Sequence, residues 1–107
     1  MFSKAARLHP RELRGRVPEK VINGICVSLR AYPGRTPRNR FFIGVGVAVD
    51  ARASARHLIR RRLARALRSW AKGNKDFSIV STRNTTRATP YRELARELDA
   101  MKKQIRA

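Results

Sequence analysis

The sequence predicts an α/β fold in which one small sheet carries helices packed on it, and three observations support this. Residues 53–70, ASARHLIRRRLARALRSW, repeat their apolar side chains with a helical period. Three shorter runs, 22–32, 41–49 and 76–82, have the alternation or apolar content of strands. In residues 91–105, Tyr91, Leu94, Leu98, Met101 and Ile105 fall at offsets of 3, 7, 10 and 14, one apolar stripe. A chain of 107 residues has room for one modest core, so a single domain over 1–107 is expected. The predicted order is α-β-β-(β)-α-β-α, for which one sheet covered by helices is the economical solution.

Residues 1–18 read as a basic lead-in followed by a short helix. Pro10 suits a first helical position, and Glu12 lies near the positive end of the helix dipole. Leu13 and Val17 are four apart and share a face, while Gly15 and Pro18 keep the helix short. His9 has no metal-ligand neighbours and reads as a surface histidine. Residues 22–32 form a strand with Ile25, Val27, Leu29 and Ala31 on one face and Cys26, Ser28, Arg30 and Tyr32 on the other. The single cysteine cannot form an internal disulfide, so Cys26 reads as a small buried apolar side chain in a reducing cytoplasm.

The stretch PGRTPRNR, 33–40, is a basic loop, because its Pro and Gly residues exclude a continuous strand. A second strand over 41–49 places Ile43, Val45, Val47 and Val49 on one face and Phe42, Gly44, Gly46 and Ala48 on the other. Two glycines on one face mark close approach, which we assign first to a docked helix and second to a ligand. Asp50 or Ser54 can cap the central helix, and Gly73-Asn74 can end it, giving a basic helix over about 51–72. DFSIVST, 76–82, is the third strand, and Thr89-Pro90 opens a final helix over about 90–106. Lys102, Lys103 and Arg106 suit the C-terminal end of that helix.

On a wheel of the central helix, Ala55, Ile59, Leu63, Ala66, Leu67 and Trp70 fall within an arc of ~120°. His57, Arg61, Arg65 and Arg68 lie opposite. Arg56 and Arg60, one turn apart, run along one edge of the apolar arc, and Arg62 along the other. One stripe is built to pack; the remainder is built to meet negative charge.

The chain carries 26 Lys and Arg against 7 Asp and Glu, a net charge of +19 whose self-repulsion calls for a polyanionic partner. A membrane fits poorly, since the longest apolar run, FFIGVGVAV, is far short of the ~20 residues needed to span. Residues 1–18 carry charges throughout and have no apolar stretch, so no secretory leader is expected. Arginine offers forked hydrogen bonds to phosphate and stacks on bases. Seven arginines lie between Arg52 and Arg68, and residues 51–75 contain no carboxylate to offset them. Tyr32 and Phe42 could stack on unpaired bases, whereas Phe41 and Phe77 suit the core.

No catalytic constellation accompanies this charge. Asp50, Asp76 and Asp99 occupy a helix start, a strand start and a helix surface, and Glu12, Glu19, Glu93 and Glu97 have equally ordinary places. Glu93 and Glu97 can pair with neighbouring basic residues. His9 and His57 are far apart without orienting partners, and no Cys/His ligand cluster, nucleophile elbow or phosphate-cradling glycine loop is present. The chain is therefore expected to bind rather than to catalyse, with no catalytic and no metal-ligating residues of its own and no small-molecule substrate.

The central helix resembles that of the bacterial ribonuclease P protein subunit family. That family carries an alanine, two residues, Arg, Asn or His, a variable residue, an aliphatic residue and two basic residues. Here these are Ala53, Arg56, His57, Leu58, Ile59, Arg60 and Arg61, with Leu63 at the next aliphatic place. His57 stands where asparagine is usual, and Ala64 where a basic residue is expected, with Arg65 as its compensation. Ala6-Arg7-Leu8 resembles the family's basic-Leu opening, and Leu13 and Val17 fall near the aromatic pair of its first helix, Leu13 replacing a usual Phe. DFSIVSTR is similar to the strand after the basic helix, and residues 91–105 to the closing helix. The 33–40 loop looks peculiar to this chain.

The resemblance implies a two-layer sandwich with a small mixed sheet and a left-handed strand-helix-strand crossover, against the usual right-handed rule. It implies partnership with the catalytic ribonuclease P RNA, which holds Mg2+ and removes the 5′ leader from precursor tRNA. The basic set Arg52, Arg56, His57, Arg60, Arg61, Arg65 and Arg68 would bind RNA, making 1–107 one RNA-binding domain. Leu13, Val17, Tyr32 and Phe42 would line the cleft for the leader. On the helical wheel, Arg56 and Arg60 could face that cleft while His57, Arg61, Arg65 and Arg68 face the RNA subunit. The rival readings are a structural RNA binder such as a small ribosomal protein, whose folds are similar, and a DNA-binding module.

Overall fold

The structure is a computed structural model that describes residues 6–70, 72–86 and 88–106. The basic lead-in at residues 1–5 and the side chain of Arg106 lie outside the described residues.

Four strands form one mixed sheet in the order β1-β2-β4-β3. Strands β1 (Lys20–Asn23) and β2 (Val27–Pro33) pair antiparallel, with Ile22 opposite Leu29. Strand β2 also pairs antiparallel with β4 (Lys75–Ser81), and β4 runs parallel to β3 (Arg40–Gly44), with Phe41 opposite Phe77. Helix α1 (Ala53–Leu67) joins the two parallel strands, and α2 (Tyr91–Arg106) closes the chain. The result is the expected two-layer α+β architecture with both helices on one sheet face.

Residues 20–33 depart from the single strand predicted over 22–32, because the chain reverses between Asn23 and Val27. The reversal is stabilised from a distance. The Glu97 carboxylate of α2 accepts the backbone N–H groups of Ile25 at 2.8 Å and of Cys26 and Val27 at 2.9 Å each. Gly24 makes room for it, since a Cβ there would lie 2.7 Å from Glu97 Cδ. Val27, Leu29 and Ala31 point inward as expected, while Ile25 sits in the turn and is exposed. Cys26 is buried, and burial together with nearby Glu97 pushes its thiol pKa up, as suits a packing residue.

Strand β3 ends at Gly44, short of the predicted 41–49. The Val49 N–H donates to Gly46 O at 3.0 Å, so residues 46–49 turn toward α1 and Val47 is exposed. Arg52 is the N-cap of α1 with no side-chain cap bond. Neither Asp50 nor Ser54 caps it; the Asp50 carboxylate instead takes the Arg52 backbone N–H and pairs with its guanidinium at 3.0 Å. A 3-10 turn over Arg68–Trp70 ends the helical segment before Gly73 is reached.

The first helix is likewise reduced to a 3-10 turn, Pro10–Leu13. His9 Nδ1 accepts the Arg11 N–H and Glu12 accepts the His9 N–H, which caps the turn at its start. Gly15, at φ +73°, breaks the continuation, so Leu13 and Val17 share no helical face.

The core lies between sheet and helices. Ile59, Leu63 and Leu67 of α1 and Leu94, Leu98 and Met101 of α2 meet Leu29, Ile79, Phe41 and Phe77. Phe41 and Phe77 stack at 5.5 Å across the parallel pair, and Trp70 meets Phe77 edge-on at 5.3 Å. Among the described residues, no helix is long and apolar enough to cross a membrane.

Candidate nucleic-acid interface

The i, i+4 spacing of Ala55, Ile59, Leu63 and Leu67 buries one side of α1 and leaves His57, Arg61, Arg65 and Arg68 exposed on the other. Arg52, also exposed, continues this surface at the helix start and is paired with Asp50. Asp50 thus meets this surface at its start, while other carboxylates are engaged elsewhere: Glu12 and Asp76 with Arg40, Glu19 with Lys75, Glu97 with the 25–27 backbone. The outer face of α1 is thus cationic along its length.

The flanks of α1 differ. On the side toward α2, Arg62 Nη1 donates to Thr89 O at 2.8 Å, and the Arg65 guanidinium lies 4.3 Å from the centre of the Tyr91 ring. On the other side, Arg56 Nη1 donates to the carbonyls of Asp50 at 3.0 Å and Ala51 at 2.8 Å, tying the entering loop to the helix. Arg60, one turn on, is half-buried beside it. Ala64 is buried on this flank, so the packed arc is wider than predicted. Arg65 therefore does not replace a basic group at 64, since it projects to the opposite flank.

The sheet face away from the helices is covered at one end. Residues 7–8 run beside β3, where Leu8 N–H donates to Phe41 O at 2.9 Å. The segment then crosses the ends of β3, β4 and β2. Asp76, with no exposed surface, accepts Arg40 Nε at 3.0 Å, Arg40 Nη2 at 2.9 Å and Arg16 Nη1 at 2.8 Å. Arg40 Nη1 extends the network to Glu12 at 3.0 Å, and Arg16 also donates to Pro33 O. Burial pushes the Asp76 carboxyl up, but the hydrogen bonds and charges of Arg40 and Arg16 outweigh it and hold it below the usual carboxylate value. The His9 N–H and Arg40 lower Glu12 in the same way.

This arrangement sorts the four expected cleft residues. Tyr32 is only 4 % exposed, with the Arg16 guanidinium 5.3 Å from its ring centre, so its ring is not presented for stacking. Leu13 is half-buried in the crossing segment, and Val17 is 81 % exposed. Phe42 is half-buried on the uncovered part of the face. Its ring lies against Gly44, where a Cβ would approach it to 3.2 Å. The glycine on this face thus makes room for an aromatic ring rather than for a docked helix. Beside it, Ser28, Arg30, Ser78 and Val80 line an open concavity of about 310 Å³.

Arg16, Arg40, Asp76 and Glu97 carry this arrangement and were not singled out by sequence. Arg40 reads as loop yet begins β3, and Asp76 reads as an ordinary strand start. Their partners lie 17 to 72 residues away, beyond the reach of periodicity. Among the described residues, no three His, Cys, Asp or Glu side chains gather as metal ligands would.

No family model matches the sequence, and no curated protein does. Solved structures do. A Staphylococcus aureus RNase P protein mutant with defective mRNA degradation activity superposes with a TM-score of 0.78 at 13 % identity, over 96 % of this chain and 90 % of that one. The Thermotoga maritima RNase P protein gives 0.72 at 14 % identity, over 89 % and 93 %. A second S. aureus RNase P protein structure gives 0.67 at 13 %, over 80 % of each chain. At such identity the likeness is one of architecture, and the architecture of this chain, with its four-stranded mixed sheet and two helices, is that of the bacterial RNase P protein.

Proposed function

We propose that this chain is the protein component of ribonuclease P, assisting removal of the 5′ leader from precursor tRNA in the cytoplasm. The observation that carries the reading is the combination of this fold with a cationic face along α1, a helix that contains no carboxylate of its own. In it, Arg52, His57, Arg61, Arg65 and Arg68 contact the catalytic RNA. The uncovered sheet face, with Phe42, Arg30, Ser28 and Ser78, receives the single-stranded leader, and Arg56 and Arg60 lie along the flank between the two surfaces.

The hydrolysis belongs to the RNA, with Mg2+ bound there. This chain's own part is to bind and orient. Its arginines neutralise phosphates on both RNAs, releasing counterions and lowering the repulsion that opposes their approach. The phosphate contacts supply register and affinity without reading sequence.

Reconstitution with the catalytic RNA at low magnesium tests this reading. The protein should accelerate 5′ maturation and raise affinity for precursor over mature tRNA. Unchanged cleavage with and without it would refute the proposal and return the chain to the class of structural RNA binders.

A further inference from the structure

Among the described residues, two arginines lie over tyrosine rings, and their surroundings differ. Arg16, above Tyr32, is fully engaged: its guanidinium also donates to Asp76 and to Pro33 O, and its side chain is only 10 % exposed. Arg65 lies 4.3 Å from the centre of the Tyr91 ring, yet it is exposed and meets no carboxylate among the described residues. The ring supports one side of this guanidinium, and solvent meets the other.

Both helices hold the pair in place. Arg62 Nη1 ties α1 to Thr89 O, two residues before Tyr91, which sets ring and guanidinium against each other. Tyr91 is half-buried at the start of α2, and Ala95, one turn further on, adds no bulk beside it. Arg61 and Arg68, about one turn to either side of Arg65, are exposed and make no ring contact among the described residues. A cation that only offsets phosphate charge gains from such freedom, because it can follow its phosphate. Arg65 gives up that freedom and presents a planar group at a fixed place.

We infer that Arg65 stacks on an unpaired base of the bound RNA, with Tyr91 as the positioning residue beneath it. A guanidinium offers a flat, weakly hydrated face, and unpaired RNA bases stack on such planes. Holding the plane against a ring in advance removes part of the ordering cost of binding. Arg61 and Arg68 then supply cations for the phosphates on either side of that nucleotide. A paired base is already stacked within its duplex, so the contact selects a bulged or looped nucleotide rather than a base sequence. No side chain at position 64 shares this task, because Ala64 is buried on the opposite flank. The inference rests on the reading that the outer face of α1 meets RNA.

Two probes test it with the full-length protein: a fully paired RNA hairpin, and the same hairpin with one bulged adenosine. The bulged hairpin should bind more tightly by about fivefold or more, the scale of one stacked base. Arg65→Lys keeps the charge and removes the plane, so the ratio of the two affinities should fall to within about twofold of one. Tyr91→Leu should lower the ratio in the same direction, because the guanidinium loses its support. A purely structural role for the ring would not separate the two hairpins. Arg96→Lys, an exposed position on α2, should leave the ratio within about twofold of the parent value.

A ratio near one in the parent, a ratio that survives Arg65→Lys or Tyr91→Leu, or an equal fall with Arg96→Lys would overturn the inference. Equal binding of both hairpins by the parent removes this site alone, whereas binding of neither removes the ribonuclease P reading with it.

Discussion

The Arg40 guanidinium meets the Asp76 carboxylate in a two-pronged pair across the parallel strands, Nε to Oδ1 at 3.0 Å and Nη2 to Oδ2 at 2.9 Å. Arg16 completes the carboxylate from the crossing segment. One buried acid thereby joins the edge strand, a central strand and the covering chain.

Asp76→Ala leaves two guanidiniums buried without their anion and should lower stability by about 3–5 kcal/mol. Urea unfolding followed by circular dichroism measures this. The released segment should also be cut faster by protease around residues 14–18. A loss below about 0.5 kcal/mol would place the variant with ordinary surface changes and remove the network's structural role.

The same group makes stability pH-dependent in a defined direction. Its folded carboxyl titrates below the ~3.9 of an unfolded Asp, so its contribution is complete above about pH 4 and is lost as pH falls through the lowered folded value. Urea titrations at several pH values should show the gap between parent and Asp76→Asn narrowing below pH ~4. A gap that widens with acid would contradict the sign.

Removing Arg61, Arg65 and Arg68 together, each to Ala, should weaken RNA binding and flatten its dependence on salt. The log–log slope should fall by about 0.7–0.9 for each phosphate that is no longer neutralised. Stability should change little, with about 0.5–1 kcal/mol lost where Arg65 covers Tyr91. An unchanged slope would place the RNA elsewhere.

Arg56→Ala with Arg60→Ala should weaken leader binding or RNA assembly more than Arg35→Ala with Arg38→Ala. Arg56→Ala should also lower the melting temperature, because two carbonyls of the 50–51 loop lose their donor. Equal binding losses in the two pairs would undo the assignment of that flank.

Phe42→Ala should reduce affinity for single-stranded leader by about 1–3 kcal/mol, the scale of one base on one ring. Tyr32→Leu, which removes the ring while keeping an apolar side chain, should not, because that ring lies beneath Arg16. The reverse pattern in a filter-binding assay would mean that the crossing segment lifts off when RNA binds.

Sequence alone determined the parts that local repetition specifies. The i, i+4 stripe of α1, its outer arginines, the stripe of α2 and the charge excess are all properties of contiguous residues, and each could be read without coordinates. Tertiary structure decided where those signals stop. The alternation over 22–32 continues through a chain reversal held by Glu97, a residue about 70 positions away. The apolar run 41–49 leaves the sheet at Gly44, and an aromatic ring expected to greet RNA is roofed by Arg16. A side-chain pattern reports which groups prefer to be buried, but only the pairing of distant segments determines what buries them.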